Sequence, residues 1–392
     1  MSYIIAGART PIGKMSGALA SFSAANLGGI AIAEALARAG VSPEEVDHVI
    51  MGQVLMAGAG QVPARQAASN AGIPMNVPSV NVNKVCLSGL NSIYLAHQMV
   101  ASGDADIVVA GGMESMTNAP YLADGARGGF RYGHTELRDS IIADGLWCSF
   151  DSCLMGLGTE RYTGETTITR EQQDELAAAS NQRAAAAIEA GTLAEEIVTV
   201  SVPQRKGDPI VVEHDEGVRA STTVESLAKM RPAFDADGTI AAANASQLSD
   251  GASAVIVMSK AEAERRGVAP LGEFVSYGMV AGPDTASLLT QPSRAVMAAA
   301  DKAGVAVADI DLFELNEAFA AVGLAAIDEL GISSDIVNVN GGAIALGHPI
   351  GMSGNRLALT LLHELRRRGG GIGAAGLCGG GGQGDAVILK TV

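Results

Sequence analysis

Four positions in the chain combine a side chain able to do chemistry with a turn of small residues. Cys86 follows the strand-like run SVNVNKV and opens the helical pattern LSGLNSIYLAHQMV. A sulfur at a helix N-terminus lies among free N–H groups and the positive end of the helix dipole, which favour the thiolate. A buried structural cysteine is the other common fate of a lone Cys, and position alone does not separate the two. His348 stands in GGAIALGHPIGMSG, among glycines and a proline with no apolar helix face to fill, so it reads as a base or an oxyanion donor. Cys378 lies in GLCGGGGQG, at the end of an apolar strand, where glycines let backbone N–H groups approach a ligand as an oxyanion hole requires. The competing phosphate-loop reading lacks GxxxxGK(S/T), and no GxGxxG is followed about twenty positions on by an acidic residue. Asn316 and Glu317, in LFELNEAFA, fall at a further strand-to-helix junction, where an Asn is ordinarily a cap.

The elements that must bring these residues together are legible as a duplication. AGVSPEEVDHV at 39–49 matches AGVAVADIDLF at 303–313, and each follows an Ala-rich helical run, AIAEALAR or AVMAAADK. NVN recurs at 81–83 and 338–340, each time followed by a small-residue turn, a helical pattern and a glycine-ended apolar strand. Similarity of Ala-rich helices by chance explains the helices but not the paired anchors, so a duplicated βαβαβ unit is expected. Strands alternating with helices predict right-handed crossovers and mostly parallel sheets covered on both faces, with functional residues at strand ends. The four candidates then fall at four strand-to-helix junctions, His348 being the pseudo-symmetric counterpart of the Cys86 turn. Between the halves, about 119–244, the texture changes to YLADGARGGFRYG, the only Trp (Trp147), a charged helix ITREQQDELAAASNQRAAAAIEAG and the basic PQRKGDP. This stretch reads as an insertion of substrate-facing loops, with a tether or oligomer contact equally open for 119–140.

Composition bounds the rest. At about 150 residues per domain, 392 residues suggest two or three domains. Glycine at 49 residues, far above the usual ~7%, would fit disorder, but 48% hydrophobic residues between the glycines fit a packed α/β protein instead. A formal charge of −16 without a long basic run argues against nucleic-acid or anionic-membrane surfaces. No apolar stretch approaches the ~18 residues of a membrane span, and the N-terminus lacks a basic-then-apolar leader, so a soluble, cytoplasmic protein is expected. Four cysteines (Cys86, Cys148, Cys153 and Cys378) without CxxC or His spacing suggest neither a disulfide framework nor a zinc site.

NKVCLSGL, NEAFA, GGAIALGHPIGMSG and GLCGGGGQG resemble, in order and spacing, the four active-site blocks of the thiolases, and the resemblance runs from ARTPIG to the last strand. It implies a layered αβαβα thiolase fold with an N-terminal domain, 1–268, carrying the inserted loop domain, and a C-terminal domain, 269–392. It also implies an acyltransferase that condenses two acetyl-CoA to acetoacetyl-CoA and CoA through an acyl-thioester. By similarity Cys86 is the nucleophile, His348 accepts its proton and Cys378 moves the proton on carbon. His348 with a water on Asn316 forms one oxyanion hole, and the N–H groups of Cys86 and Gly380 form the other. Arg219, in a block resembling RxxTT, lies against adenine, Ser246 meets the pantetheine, Met155 and Leu288 line a short acyl pocket, and Leu146, Ala318 and Phe319 also contact substrate. Arg205, Lys206, Lys229 and Arg231 join Arg219 in a positive rim for the anionic CoA. The chain reads Leu154-Met155-Gly156 where acetoacetyl-CoA members generally carry His-Met-Gly. Within the family, a broader 3-ketoacyl-CoA thiolase of β-oxidation is the alternative. A non-catalytic lipid carrier and a glycine-loop oxidoreductase are alternatives from other classes. The resemblance further implies no resident cofactor, acyl-CoA and CoA as partners, and a homotetramer built as a dimer of dimers.

Overall fold

The computed structural model describes all 392 residues. Nine strands form its main sheet: β1 (Ser2–Arg9), β2 (His48–Gly52), β3 (Ser79–Val82), β4 (Ile107–Ser115), β5 (Ser249–Ser259), β6 (Gly272–Ala281), β7 (Leu312–Leu315), β8 (Ile372–Gly379) and β9 (Gln383–Lys390). Their order is β7-β8-β9-β6-β1-β5-β4-β2-β3, with the short Gly13–Lys14 added on β5. The longer helices are α1 (Ala24–Ala39), α2 (Pro63–Asn70), α3 (Ser88–Ser102), α4 (Met155–Thr163), α5 (Arg170–Glu189), α6 (Gln291–Ala303), α7 (Ala320–Leu330) and α8 (Ser353–Arg367).

The duplication is real at the level of individual bonds. β2-β4-β5-β1 and β7-β8-β9-β6 are the same pattern, met at a seam where only Tyr3↔Glu273 and Ile4↔Gly272 pair, and β3 extends the first half. Asp47, in the first matched segment, accepts from the N–H of Ile107 at 2.9 Å, and Asp311, in the second, accepts from the N–H of Ile372 at 2.8 Å. α1 and α6 both stop at a left-handed glycine, Gly40 and Gly304, at φ +62° and +67°, a conformation that costs other residues a Cβ clash. The second NVN departs from its twin: where β3 forms a strand, the later segment keeps a single bridge, Phe313↔Val337, and then turns.

α3 and α8 pack on each other and on strands of both halves, whereas α1 with α2 covers one outer face and α6 with α7 the other. The result is five layers, with the largest apolar cluster in the middle and separate clusters under each outer layer. The expectation of mostly parallel sheets is corrected. β2 pairs parallel with β3 and β4, and β7 with β8, but β5 and β9 are antiparallel to their neighbours. In the second half the three residues Gly380–Gly382 join β8 to β9, too short for a crossover, so the next strand must run back. In the first half the corresponding connection, β4 to β5, holds the whole of 116–248.

Candidate active site

Cys86 sits two residues before α3, in a tight turn where Val85 has φ +52° and the N–H of Lys84 is tied to Ser88 Oγ at 2.8 Å. Its sulfur is not stabilised as a thiolate in the way its place beside the helix suggests. Burial pushes the Cys86 thiol up to about 12, and that outweighs the N–H groups of Cys86 itself and of Gly380, both of which point at the sulfur. A resting thiol therefore needs a base.

His348 presents a nitrogen able to take a proton. Its Nδ1 lies 2.6 Å from Ser353 Oγ, and Ser353 Oγ lies 3.0 Å from the carbonyl of Pro349. A hydroxyl has one proton, and a carbonyl can only accept. Both contacts are satisfied together only if Ser353 donates to Pro349 and accepts from Nδ1–H. The lone pair is then on Nε2, which faces Asn316 Nδ2 at 3.4 Å. Burial, reinforced by the Arg356 charge, lowers the His348 pKa to about 4, so the ring is neutral and able to accept a proton at physiological pH. Asn316 is not a helix cap: α7 begins at Ala320 behind Phe319, and the Asn316 side chain turns to the histidine. Its Oδ1 is buried without a protein partner, as an acceptor for a water or ligand hydrogen would be.

Cys378 is fully buried near the end of β8, at a strand-to-strand turn rather than the expected strand-to-helix junction. It packs with Leu288, Leu289, Ala318, Ala321 and Val322, and Met155 and Phe319 lie against the same cluster. Burial and the neighbouring Cys86 push its thiol well above the ordinary range. The glycines that follow serve close approach: a Cβ on Gly379 would lie 2.5 Å from Leu87 Cγ, and Gly381 and Gly382 have φ +80° and +67°. This packing sets Gly380 against the Cys86 turn, beside Val85.

A cavity of about 500 Å³ leads to the histidine, lined among others by Leu146, Leu154, Met155, Ser246, Ala318, Phe319 and His348. A second groove carries Arg219 and shares Ala242 and Gln247 with the cavity wall. Together they make one path from the exposed Arg219 to the buried His348. Leu288 stands beside Met155 but outside the main cavity, in the cluster around Cys378. Arg205, Lys206, Lys229 and Arg231 are exposed and free of ion pairs with the protein, and Arg205 and Lys206 lie on the turn between Val200–Val202 and Ile210–Val212.

Four supporting residues escaped the sequence reading. Ser353 fixes the histidine tautomer. Glu114, the one carboxylate inside the buried part of β4, accepts from the N–H groups of Val54 at 3.0 Å, Leu55 at 3.1 Å and Gly351 at 2.9 Å, holding the loop after His348 against the loop after β2. Lys84 binds the fully buried Asp385 at 2.7 and 2.9 Å, tying the Cys86 turn to β9. An acid in an otherwise apolar strand was a visible signal for Glu114; Lys84 and Asp385, 301 positions apart, offered none.

Comparison with known proteins assigns the chain to a family. Residues 2–261 match the thiolase N-terminal domain and residues 268–391 the thiolase C-terminal domain. The chain belongs to the thiolase family. It is 54% identical over 387 residues to a probable acetyl-CoA acetyltransferase of Mycolicibacterium smegmatis, covering 99% of this chain and 100% of that one. It is 53% identical over 390 residues to a probable acetyl-CoA acetyltransferase of Mycobacterium tuberculosis, covering 100% and 99%. An acetyl-CoA acetyltransferase of Pseudomonas aeruginosa shares 51% identity over 386 residues, 98% of each chain.

Proposed function

We propose that the chain condenses two molecules of acetyl-CoA to acetoacetyl-CoA and CoA, and runs the reverse thiolysis. The observations that carry this reading are a neutral imidazole whose free lone pair faces Asn316, a buried thiol that receives two backbone N–H groups, and a second buried thiol next to the first. One thiol can be acylated while the other stays free for proton transfer.

Cys86 gives its proton to His348 Nε2 and attacks the thioester carbon, and the developing oxyanion receives the N–H groups of Cys86 and Gly380. The C–S bond to CoA breaks, and the departing thiolate takes the proton of Cys378. This leaves a Cys378 thiolate near an imidazolium, an ion pair that offsets the burial of both. The thiolate removes a proton from the methyl of the second acetyl-CoA, and the enolate oxygen is held by His348 and a water on Asn316. The carbanion attacks the acyl carbon, the Cys86 S–C bond breaks, and Cys86 recovers its proton from His348. Protons and bonds balance over the cycle, and coenzyme A is substrate and product with no resident cofactor.

Arg219 and the adjoining groove take the nucleotide end of CoA, Ser246 and Leu146 the pantetheine, and Met155, Leu288, Ala318 and Phe319 a short acyl group. Exposed apolar side chains on the insertion, Tyr121, Phe130, Tyr132 and Leu137, support a homotetramer built as a dimer of dimers. The cytoplasm is the proposed location; no helix is long and apolar enough to cross a membrane. The test is direct: protein mixed with acetyl-CoA should carry one acetyl group on the Cys86 peptide and cleave acetoacetyl-CoA with free CoA, and Cys86→Ala should do neither. Acetylation at Cys148 or Cys153 instead would sink the assignment.

A further inference from the structure

The hairpin between the Ile141–Leu146 turn and α4 contains two cysteines that the acyl chemistry leaves unused. It has only two cross-strand pairs, Trp147↔Leu154 and Cys148↔Cys153, so one of the two is a cysteine facing a cysteine. Directly opposed residues in an antiparallel pair have Cα atoms about 4.5–5.5 Å apart, inside the ~4.4–6.8 Å a disulfide spans, with Cβ atoms on the same face. Both side chains are buried, yet the turn joining them is exposed, with Phe150 at its tip.

The surroundings of the pair favour thiol chemistry. Cys148 Sγ lies 3.5 Å from Asp151 Oδ2 and receives the Asp151 N–H at 3.4 Å. The carboxylate is in reach of the thiol proton, and the N–H supports the sulfur once the proton has left. Tyr162 donates to the other oxygen, Oδ1, at 3.1 Å and holds the carboxylate in place. From α4, the space over Gly158 looks onto both Asp151 Oδ2 and Cys153 Sγ, 3.4 and 3.6 Å from where a side chain would begin, so the carboxylate and second sulfur share one side of the hairpin. A narrow crevice lined by Cys148, Asp151, Tyr162 and Gly381 reaches this cluster.

We propose that Cys148 and Cys153 form an oxidation site for small peroxides, closing to a cross-strand disulfide. Cys148 passes its proton to Asp151, and the thiolate attacks one peroxide oxygen. The O–O bond breaks, the departing hydroxide takes back the proton from Asp151 and leaves as water, and Cys148 becomes a sulfenic acid. The Cys153 sulfur then attacks that sulfur; the S–S bond forms, the S–O bond breaks, and the hydroxide leaves as a second water with the Cys153 thiol proton. Two thiols are oxidised and one peroxide is reduced. The bridge would staple the hairpin whose flanks, Leu146 on one side and Leu154 and Met155 on the other, line the substrate cavity.

The test treats the full-length protein with a small excess of hydrogen peroxide, blocks remaining thiols with an alkylating agent, and digests with chymotrypsin, which cuts at the exposed Phe150. The expected product is a pair of fragments joined until reduced, carrying Cys148 and Cys153, at peroxide doses that leave Cys86 alkylatable. Cys148→Ser and Cys153→Ser should each abolish the linked pair, and the double variant should still acetylate Cys86 at the rate of the parent. Three results would overturn the proposal: a Cys86–Cys378 bridge forming first, Cys148 and Cys153 both recovered alkylated, or Cys148 remaining reduced in Cys153→Ser.

Discussion

Replacing Ser353 by Ala tests the logic of the site without touching any group that meets substrate. The hydroxyl accepts from His348 Nδ1 at 2.6 Å and donates to Pro349, and with the longer Asn316 Nδ2 contact at 3.4 Å it keeps the lone pair on Nε2. Without it Nδ1 faces a methyl group, the opposite tautomer becomes competitive, and the imidazolium formed on proton transfer loses an acceptor for its second N–H. A hydrogen bond to a charged group contributes roughly 1.5–3 kcal/mol, which in the acylation transition state is about a 10- to 150-fold loss of rate. Rapid-quench mass spectrometry of Cys86 acetylation measures this step directly. Ser353→Thr should recover most of the rate, because the hydroxyl is restored. A purely structural role would lower thermal stability and spare the burst, so an alanine variant that acylates within twofold of the parent refutes the tautomer argument.

Four further outcomes follow from the same geometry. Cys378→Ala should still be acetylated at Cys86 yet fail to exchange the methyl protons of acetyl-CoA for deuterium; condensation near the parental rate would reduce Cys378 to packing. His348→Ala should lose more than the roughly 10²- to 10³-fold typical of one oxyanion donor, and Asn316→Ala about that amount, since the histidine both accepts a proton and stabilises charge. Equal small losses would contradict the division. Because burial lowers His348 from 6.5 to about 4 and the working form is deprotonated, the acylation rate should hold as pH falls through 6.5 and decline only near 4; a midpoint near 6.5 would mean a solvated ring. Acetoacetyl-CoA should be cleaved best, with longer 3-ketoacyl-CoAs falling by about 10- to 200-fold over the next few carbons as Met155 and Leu288 close the pocket. Leu154→His should tighten CoA substrates and keep that order, and preference for a ten-carbon substrate would overturn the short-pocket reading.

What the sequence disclosed and what it hid divide along physical lines. Periodicity and the paired AGV and NVN anchors disclosed the duplication because both halves must solve the same packing problem, down to Asp47 and Asp311 capping the same strand starts. His348 and Cys378 were visible because a histidine among glycines and a cysteine before a glycine run have no ready role in a core. The thiol's protonation was hidden: the helix terminus is a local feature of the chain, whereas the burial that outweighs it comes from a cluster assembled from both halves of the chain. Ser353 was hidden because a serine at the start of a helix has an ordinary explanation, and its true partner lies behind it in the chain rather than ahead. The direction of β5 was hidden because a long insertion carries no mark of which end of the sheet it returns to.

That insertion and the glycine turn are two answers at one topological position. The matched register sets Gly52 against Asn316 and Met113 against Cys378, so the first half carries no donor and no second thiol where the second half has both. The first half offers Cys86 at its β3–α3 turn; the second offers His348 at the corresponding turn before α8, and the central helices bring the two turns together. A β4–β5 connection as short as Gly380–Gly382 would leave the Cys86 turn without the walls that 116–248 supplies, Leu146, Met155 and Ser246 among them. A β8–β9 connection as long as 116–248 would give up the glycine contact with Leu87 that aims Gly380 at the sulfur. Each half therefore needs the loop it has, and a single active site, rather than two related by the pseudo-symmetry, is the necessary outcome.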